Sequence, residues 1–407
     1  MTKKSKFAVM PTRRFPEFIG RALREVQLND VTSESTIRNG DRLPSTSVMG
    51  VTKAEGIVPM EERIIAADIA RYKIVQRDWF AYNPMRLNIG SIARWQGEAD
   101  ILVSPDYVVF QCLDDPDSGI DPAYLDHFRQ SVAWNAFVSE GGDGGVRVRV
   151  YFKDLASLRL VLPPRAEQQK IANCLTSLDK VISAQGRKVV ALQTYKRGLM
   201  QQLFPCAGET IPRLRFPEFR DAPEWEERKL SASIDLVSGL HLSPNEYSTT
   251  GDVPYFTGPS DFTNDGTRVM KWTKASTNTA KERDTLITVK GSGVGECWYL
   301  EMPSVAMGRQ LMAVRAKACS SRFIYQFLLT KRTRFEDLAS GNLIPGLSRG
   351  DILDLVAPFP SEHEQQKIAG CLSSLDDRIA AESETLDALK THKKGLMQQL
   401  FHSSEKV

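Results

Sequence analysis

The chain repeats itself. Glu167-Gln168-Gln169-Lys170-Ile171-Ala172 recurs 197 residues later as Glu364-Gln365-Gln366-Lys367-Ile368-Ala369. The offset then holds without a gap to Gly198-Leu199-Met200-Gln201-Gln202-Leu203-Phe204, which recurs as Gly395 through Phe401. Of the 38 positions from Glu167 to Phe204, 24 are identical in the second copy. A shorter island lies upstream in each copy: Arg14-Phe15-Pro16-Glu17-Phe18 recurs as Arg215-Phe216-Pro217-Glu218-Phe219, at an offset of 201. Between the islands, roughly 145 residues show almost no identity. The 407 residues are thus two copies of one plan: a short motif, a divergent region and a well-matched segment. A repeat of this kind limits the possible folds before any single residue does.

The matched segments read as long helices. Ile171, Leu175, Leu178, Ile182, Gln185, Val189, Leu192, Lys196, Leu199 and Leu203 are spaced alternately by four and three, the seam of a coiled coil. The second copy sets Ile368, Leu372, Leu375, Ile379, Glu382, Leu386, Leu389, Lys393, Leu396 and Leu400 on the same positions. Polar residues interrupt both seams at the same two places, 185/382 and 196/393, which points to a register device. Pro163-Pro164 and Pro360-Ser361 fit helix starts, and Pro205 fits an end. A helix of about 38 residues is about 57 Å long. The bland alternative, in which each helix only covers its own domain, sits poorly with this length and sustained period. Residues 165–205 carry seven basic and two acidic side chains, residues 363–407 six and seven, so the helices are electrostatically compatible partners.

Connectivity sets their direction. About ten residues join Phe204 to the second Arg-Phe-Pro-Glu-Phe motif, so the second divergent region starts at the far end of the first helix. The second helix can pair with the first only by running back antiparallel. The expected fold class is therefore α+β: two globular domains related by a pseudo-two-fold axis and joined by two long antiparallel coiled-coil helices. The same logic expects Phe401 to lie close to Phe15. Domain bounds follow as 1–164, 165–204 (first helix), 205–361 and 362–407 (second helix and tail).

Composition removes several classes. A quarter of the residues are charged and 42% hydrophobic, ordinary values for a globular protein. The longest apolar runs fall far short of the ~20 residues of a membrane helix, and no apolar segment follows the basic Met1–Lys6 as in a secretory signal. Six cysteines without a CxxC pair argue against a zinc site or disulfide scaffold and for a reducing cytoplasm. The net charge of +3 excludes holding a polyanion by bulk charge alone. No GxxxxGK[ST], HExxH or triad-like grouping occurs. Gly291-Ser292-Gly293-Val294-Gly295 has the look of a phosphate loop, but no Lys-Ser/Thr follows it and a strand continues, so it reads as a tight turn.

Each divergent region reads as strands first, then a helix and a loop. In the first, Tyr72–Val75 and Tyr107–Phe110 are strand-like, 122–138 is helical, Gly141–Gly145 is a loop, and Val146–Val150 alternates with both arginines on one face. In the second, Leu286–Val289 and Cys297–Leu300 are strands and Phe323–Leu338 is a helix ending at Ser340-Gly341-Asn342. Polar side chains able to meet base edges or phosphates collect on the expected loops. They are Arg86, Asn88, Ser91, Arg94, Arg147 and Arg149, with Trp95 among them, and Lys271, Lys274, Lys290, Ser292, Arg309, Gln310 and Asn342. Taken singly, each is as readily a solvated surface residue or a structural hydrogen bond.

The paired Glu-Gln-Gln-Lys-Ile segments after Pro163-Pro164 and Pro358-Phe359-Pro360, with their Gly-Leu-Met-Gln-Gln-Leu-Phe ends, resemble those of type I restriction-modification specificity (S) subunits. So do Tyr82-Asn83-Pro84-Met85-Arg86-Leu87, Ser104-Pro105-Asp106-Tyr107 and Ser340-Gly341-Asn342-Leu343-Ile344-Pro345. The resemblance implies two target recognition domains on an antiparallel helical spacer, reading a bipartite double-stranded DNA site. It implies two modification (adenine N6-methyltransferase) subunits carrying S-adenosylmethionine, and restriction subunits using ATP and Mg. It also implies no catalytic residue, metal or cofactor in this chain itself, and a cytoplasmic location without membrane contact. Two rival classes remain: an enzyme with a concealed site, disfavoured by the missing motifs, and a coiled-coil adaptor that binds proteins without DNA specificity.

Overall fold

The computed structural model describes residues 11–61, 65–140, 149–274, 278–341 and 346–401. They form two compact units, one made of the chain up to Gln185 together with Thr385 onward, the other of Gly186–Glu384. In the first unit the chain runs through β1 (Arg24–Gln27), β2 (Thr32–Ser35), β3 (Met49–Thr52), β4 (Gly56–Pro59), β5 (Lys73–Val75), β6 (Phe80–Tyr82) and β7 (Ile92–Arg94). It continues through β8 (Ile101–Val103), β9 (Val108–Cys112), α1 (Pro122–Phe128), α2 (Val132–Glu140), α3 (Phe152–Leu155) and β10 (Arg159–Leu162) into α4 (Arg165–Leu203). The central sheet is antiparallel in the order β2-β9-β6-β7. Both of its faces are covered: Phe80, Tyr82 and Phe110 join one core, Ala81 and Val109 another, as the period-two alternation of strands requires.

The second unit holds β11 (Glu226–Lys229), β12 (Ile234–Ser238), β13 (Tyr247–Ser248), β14 (Val253–Phe256), β15 (Trp272–Thr273), β16 (Thr279–Lys281) and β17 (Thr285–Thr288). After these come β18 (Cys297–Tyr299), β19 (Ser304–Met307), β20 (Leu311–Ala316), α5 (Ser321–Thr330), α6 (Arg332–Gly341), α7 (Arg349–Leu353), β21 (Val356–Phe359) and α8 (Glu362–Leu400). Its central sheet, β12-β20-β17-β18, repeats the connectivity of β2-β9-β6-β7 strand for strand. The antiparallel pair β16–β19 matches β5–β8, and the parallel pair β14–β19 matches a parallel bridge between Val48 and Leu102. A terminal pair closes each unit, β1 with β10 and β11 with β21. Topology thus persists where sequence identity does not, because a sheet demands alternation and turns rather than particular side chains.

Two expected helices are each divided. Residues 122–138 form α1 and α2, since Ser131 Oγ accepts the Trp134 N–H (3.2 Å) and starts a new helix. Residues 323–338 fall in α5 and α6, which meet at Lys331. The expected strand at 146–150 lies mostly outside the described residues, and Arg149 and Val150 are not in a strand. The tight turn expected at Gly291–Gly295 is present between β17 and β18.

The two distant motif islands meet. In the first unit Arg14 donates through Nε (3.0 Å) and Nη2 to the two carboxylate oxygens of Glu167, and through Nη1 to the carbonyl of Arg21 (2.6 Å). In the second, Arg215 donates to both oxygens of Glu364 (2.8 Å each) and to the carbonyl of Ala222 (2.7 Å). Glu167 and Glu364 are each about 1% exposed, so the guanidinium is their compensation. Lys170 pairs with Glu17 and lies over the Phe15 ring, as Lys367 pairs with Glu218 over Phe216. The glutamine beside each glutamate joins two helices: Gln168 Oε1 accepts from Asp121 N–H (2.8 Å) at the start of α1, and Gln365 Oε1 from Ser320 N–H (3.0 Å) before α5.

Every seam position of α4 and α8 named above is buried or half-buried. Within each unit the two helices run antiparallel. In the first, Met397, Leu400 and Phe401 complete the core with Ile171 and Leu175, and Phe15 packs against the same cluster, as expected. In the second, Met200, Leu203 and Phe204 do so with Ile368 and Leu372. Two of the polar seam positions form ion pairs with the other helix: Lys393 bonds Asp179 (2.6 Å) in the first unit, Lys196 bonds Asp376 (2.6 Å) in the second. Lys188 and Glu382 form a further pair (2.6 Å).

Candidate nucleic-acid interface

In the second unit, five loops converge at one end of the sheets, each with a glycine, and at three of them (Gly239, Gly308 and Gly346) another backbone comes close. A Cβ on Gly239, after β12, would stand 2.1 Å from the Gly308 carbonyl oxygen, and one on Gly346 would stand 2.8 Å from that of Val289. Gly258 follows β14, Gly291 follows β17 and Gly308 follows β19. Backbone hydrogen bonds tie these loops together: Gly308 N–H to Phe256 O (2.7 Å), Val289 N–H to Gln310 O (2.7 Å), Leu240 N–H to Met307 O (2.7 Å) and Leu347 N–H to Val289 O (2.8 Å). A framework that rigid presents its side chains without much entropy left to lose.

Lys290, Ser292, Arg309 and Gln310 are exposed on this framework, and their side chains have no hydrogen bond or ion pair among the described residues. Lys271 is at the same end but committed: its ammonium bonds Thr257 Oγ1 (2.8 Å) and Asp261 (3.2 Å), fixing the loop after β14. Asp261 also accepts from Thr257 Oγ1 (2.6 Å) and N–H (2.7 Å), and these bonds, then Lys271, hold its carboxyl below its usual range against its burial. Lys274 is exposed, but it follows β15 at the end where β14 begins, so it is not part of this group. Asn342 lies outside the described residues. Arg349 was not singled out from the sequence, yet it donates to Ser238 Oγ (3.0 Å) and Leu236 O (3.1 Å), bracing the loop after β12. The recurring glycine at successive strand ends was the available signal for the whole framework.

In the first unit, the loop after β6 corresponds to the one after β17. It carries Arg86 and Asn88, both exposed and without side-chain partners among the described residues, and ends at Gly90, whose φ of +93° matches +84° at Gly295. Only glycine takes this left-handed conformation without strain. Val150 N–H bonds Pro84 O (3.0 Å), as Leu347 N–H bonds Val289 O, so exposed Arg149 adjoins the Arg86 loop. Lys53, not singled out from the sequence, lies against Gly90 at the tip of the β3–β4 hairpin. Arg147 lies outside the described residues. Two expected contacts are corrected. Ser91 is buried and donates to Val51 O (2.8 Å), holding β3 to β7. Arg94 is spent on Asp78 (2.6 Å) and Asp126 (3.4 Å), lining a cleft of about 640 Å³ with Arg129, Gln130 and Trp95, whose indole N–H bonds Ala99 O (2.8 Å).

The corresponding loops differ in chemistry. Arg86 and Asn88 stand where the second unit has Lys290 and Ser292, and Asp106, after β8, stands where it has Arg309 and Gln310. Two of the thiols, Cys112 and Cys297, are poor nucleophiles, because burial pushes them up to about 12. Among the described residues, no three His, Cys, Asp or Glu side chains form a metal-binding group. No described helix is long and apolar enough to cross a membrane.

Residues 223–391 match the family described as the type I restriction modification DNA specificity domain. The chain is 24% identical, over 85% of its length and 82% of the relative's, to a putative type I restriction enzyme MjaX specificity subunit of Methanocaldococcus jannaschii. It shares its fold with the type I restriction-modification S subunit of M. genitalium, at TM-score 0.68 and 14% identity, covering 98% of this chain and all of that one. A chain from a structure of type I R-M complex assembly and conformational transition matches at TM-score 0.54 and 20% identity, over 94% of this chain and 98% of that one. Residues 223–391 thus match the type I DNA specificity domain, and the chain resembles type I specificity subunits over most of its length, as the repeated motifs led one to expect.

Proposed function

We propose that this chain is the DNA-reading subunit of a type I restriction-modification complex, binding a bipartite double-stranded site with one half per domain, 1–164 and 205–361. The observation that carries this reading is the repetition of one loop framework with different free polar side chains on each copy. A framework held constant while its outward groups vary is what two readers of unlike sequences need. The outer faces of residues 165–204 and 362–401 are the docking surfaces for two modification subunits, which bring S-adenosylmethionine and methylate adenine N6. Restriction subunits, with ATP and Mg, complete the assembly, and this chain contributes no catalytic group. With a net charge of +3, the chain depends on those partners for much of the phosphate neutralisation that holds DNA.

The test is footprinting of this chain in complex with its modification subunits. Two short protected blocks separated by an unprotected spacer are expected. Stable assembly with no sequence-selective footprint would instead mark the chain as an adaptor.

A further inference from the structure

We infer that Gln310 reads an adenine in the half-site of the second unit, its side-chain amide bonding the base at N6 and N7. The inference rests on the DNA-reading function proposed above and adds a residue and a base to it.

Gln310 is exposed, and its amide has no partner among the described residues. Its backbone is nevertheless fixed on both sides. Its carbonyl accepts from Val289 N–H (2.7 Å), and the next residue, Leu311, donates to Gly308 O (3.0 Å) and accepts from Gly239 N–H (2.9 Å). A free polar head on an immobilised stem is a poor stabiliser and a good probe, since little is lost when it is ordered against a ligand.

The surroundings favour the close approach of a flat ligand. A Cβ on Gly258 would stand 2.9 Å from Gln310 Oε1, and one on Gly291 3.9 Å from it. The amide therefore lies over the bare backbone of two loops at Gly258 and Gly291, where no Cβ stands between it and a base edge. Lys290, Ser292 and Arg309, exposed on the adjoining loops, suit phosphate and sugar contacts that would fix the register.

The choice of base follows from the amide. It offers one acceptor and one donor side by side, and the major-groove edge of adenine offers the matching donor at N6 and acceptor at N7. Guanine presents two acceptors there and would leave the glutamine oxygen unmet; cytosine presents a lone donor, and thymine an acceptor beside a methyl group.

The experiment uses the full chain with its modification subunits and selects bound sites from a randomised DNA library. Wild type is compared with Gln310→Ala and Gln310→Glu. Gln310→Ala is expected to lose roughly 5- to 150-fold of discrimination at one adenine of one half-site, the span of a good bidentate contact. Gln310→Glu keeps the shape, cannot donate, and is expected to move the preference at that position toward cytosine, whose N4 amine a carboxylate accepts from. The other half-site should stay unchanged in both variants, which also reports that they are folded. An unchanged site in both variants overturns the assignment while leaving the DNA-reading function intact; so does a change confined to a position that is not adenine. Wild-type complex that selects no sequence overturns both.

Discussion

At the scale of single residues, the most exposed weakness of each unit is a buried carboxylate that answers to one arginine. Glu364 is about 1% exposed, and Arg215 reaches it bidentately. Replacing Arg215 by Met strands that charge and should cost ~3–5 kcal/mol, the usual penalty for breaking a buried pair from one side. Urea denaturation measures it, and a loss under 1 kcal/mol would mean that water reaches the carboxylate. A second residue sets a pH limit. His127 in α1 is buried against α4, with Nε2 2.9 Å from Thr176 Oγ1, and it faces Lys393, Asp126, Asp179 and Arg94. Burial, then the Lys393 cation, pushes its pKa below the ordinary 6.5, outweighing the two carboxylates. The unfolded chain therefore takes up this proton first as pH falls. Stability is full above about 6.5 and declines below it, down through the lowered folded value. The corresponding place in the second unit holds Gln326, which donates to Asp376 (2.8 Å). His127→Gln should therefore reduce the drop in melting temperature between pH 7 and pH 5; an unchanged drop would place the acid sensitivity elsewhere. Neither feature was legible beforehand, because a repeat shows that Arg14 and Glu167 recur, not that residues so far apart touch.

At the scale of elements, legibility followed period. The seams of α4 and α8 were readable because a four-three spacing sustained over ten positions has one good structural solution, and Lys196 and Lys393 among their polar interruptions each pair with an aspartate of the other helix. Charge reversal tests that. Lys196→Asp and Asp376→Lys should each destabilise, and the double variant should recover most of the loss, with a coupling of about 0.5–3 kcal/mol. Additive losses on denaturation would reduce the pair to an incidental contact. Where period gave no warning, the reading slipped. Tyr124, Leu125, Phe128 and Val132 keep a helical spacing across the break at Ser131, so that serine's cap is what marks two helices. The candidate interface was half legible. Loop polarity located Arg86, Asn88, Lys290 and Gln310, but could not tell them from Ser91 and Arg94, whose partners come from other strands and a helix.

At the scale of the whole molecule, each unit is finished by the end of the other copy's helix. Arg13 N–H donates to Gln399 O (3.1 Å) in one unit, and Leu214 N–H to Gln202 O (2.9 Å) in the other. The first contact has no covalent link like Pro205–Arg213, which serves the second. A circular permutant joining residue 401 to residue 11 through a copy of Pro205–Pro212, and opened at Ala207-Gly208, should therefore fold with its melting temperature within a few degrees of the parent. A molten product would show that the break at the ends is needed.

The exchange of helix ends also carries a history. Because Met200, Leu203 and Phe204 do for the second core what Met397, Leu400 and Phe401 do for the first, a polypeptide of one copy alone would lack this piece and find it in its twin. Residues 206–401 made as a separate chain should be a homodimer by light scattering; a folded monomer would argue otherwise. On the proposed DNA-reading function, such a dimer would see the same half-site twice, reversed. Fusion of a duplicated gene would have freed the two copies to drift apart, and a palindrome could then become an asymmetric address.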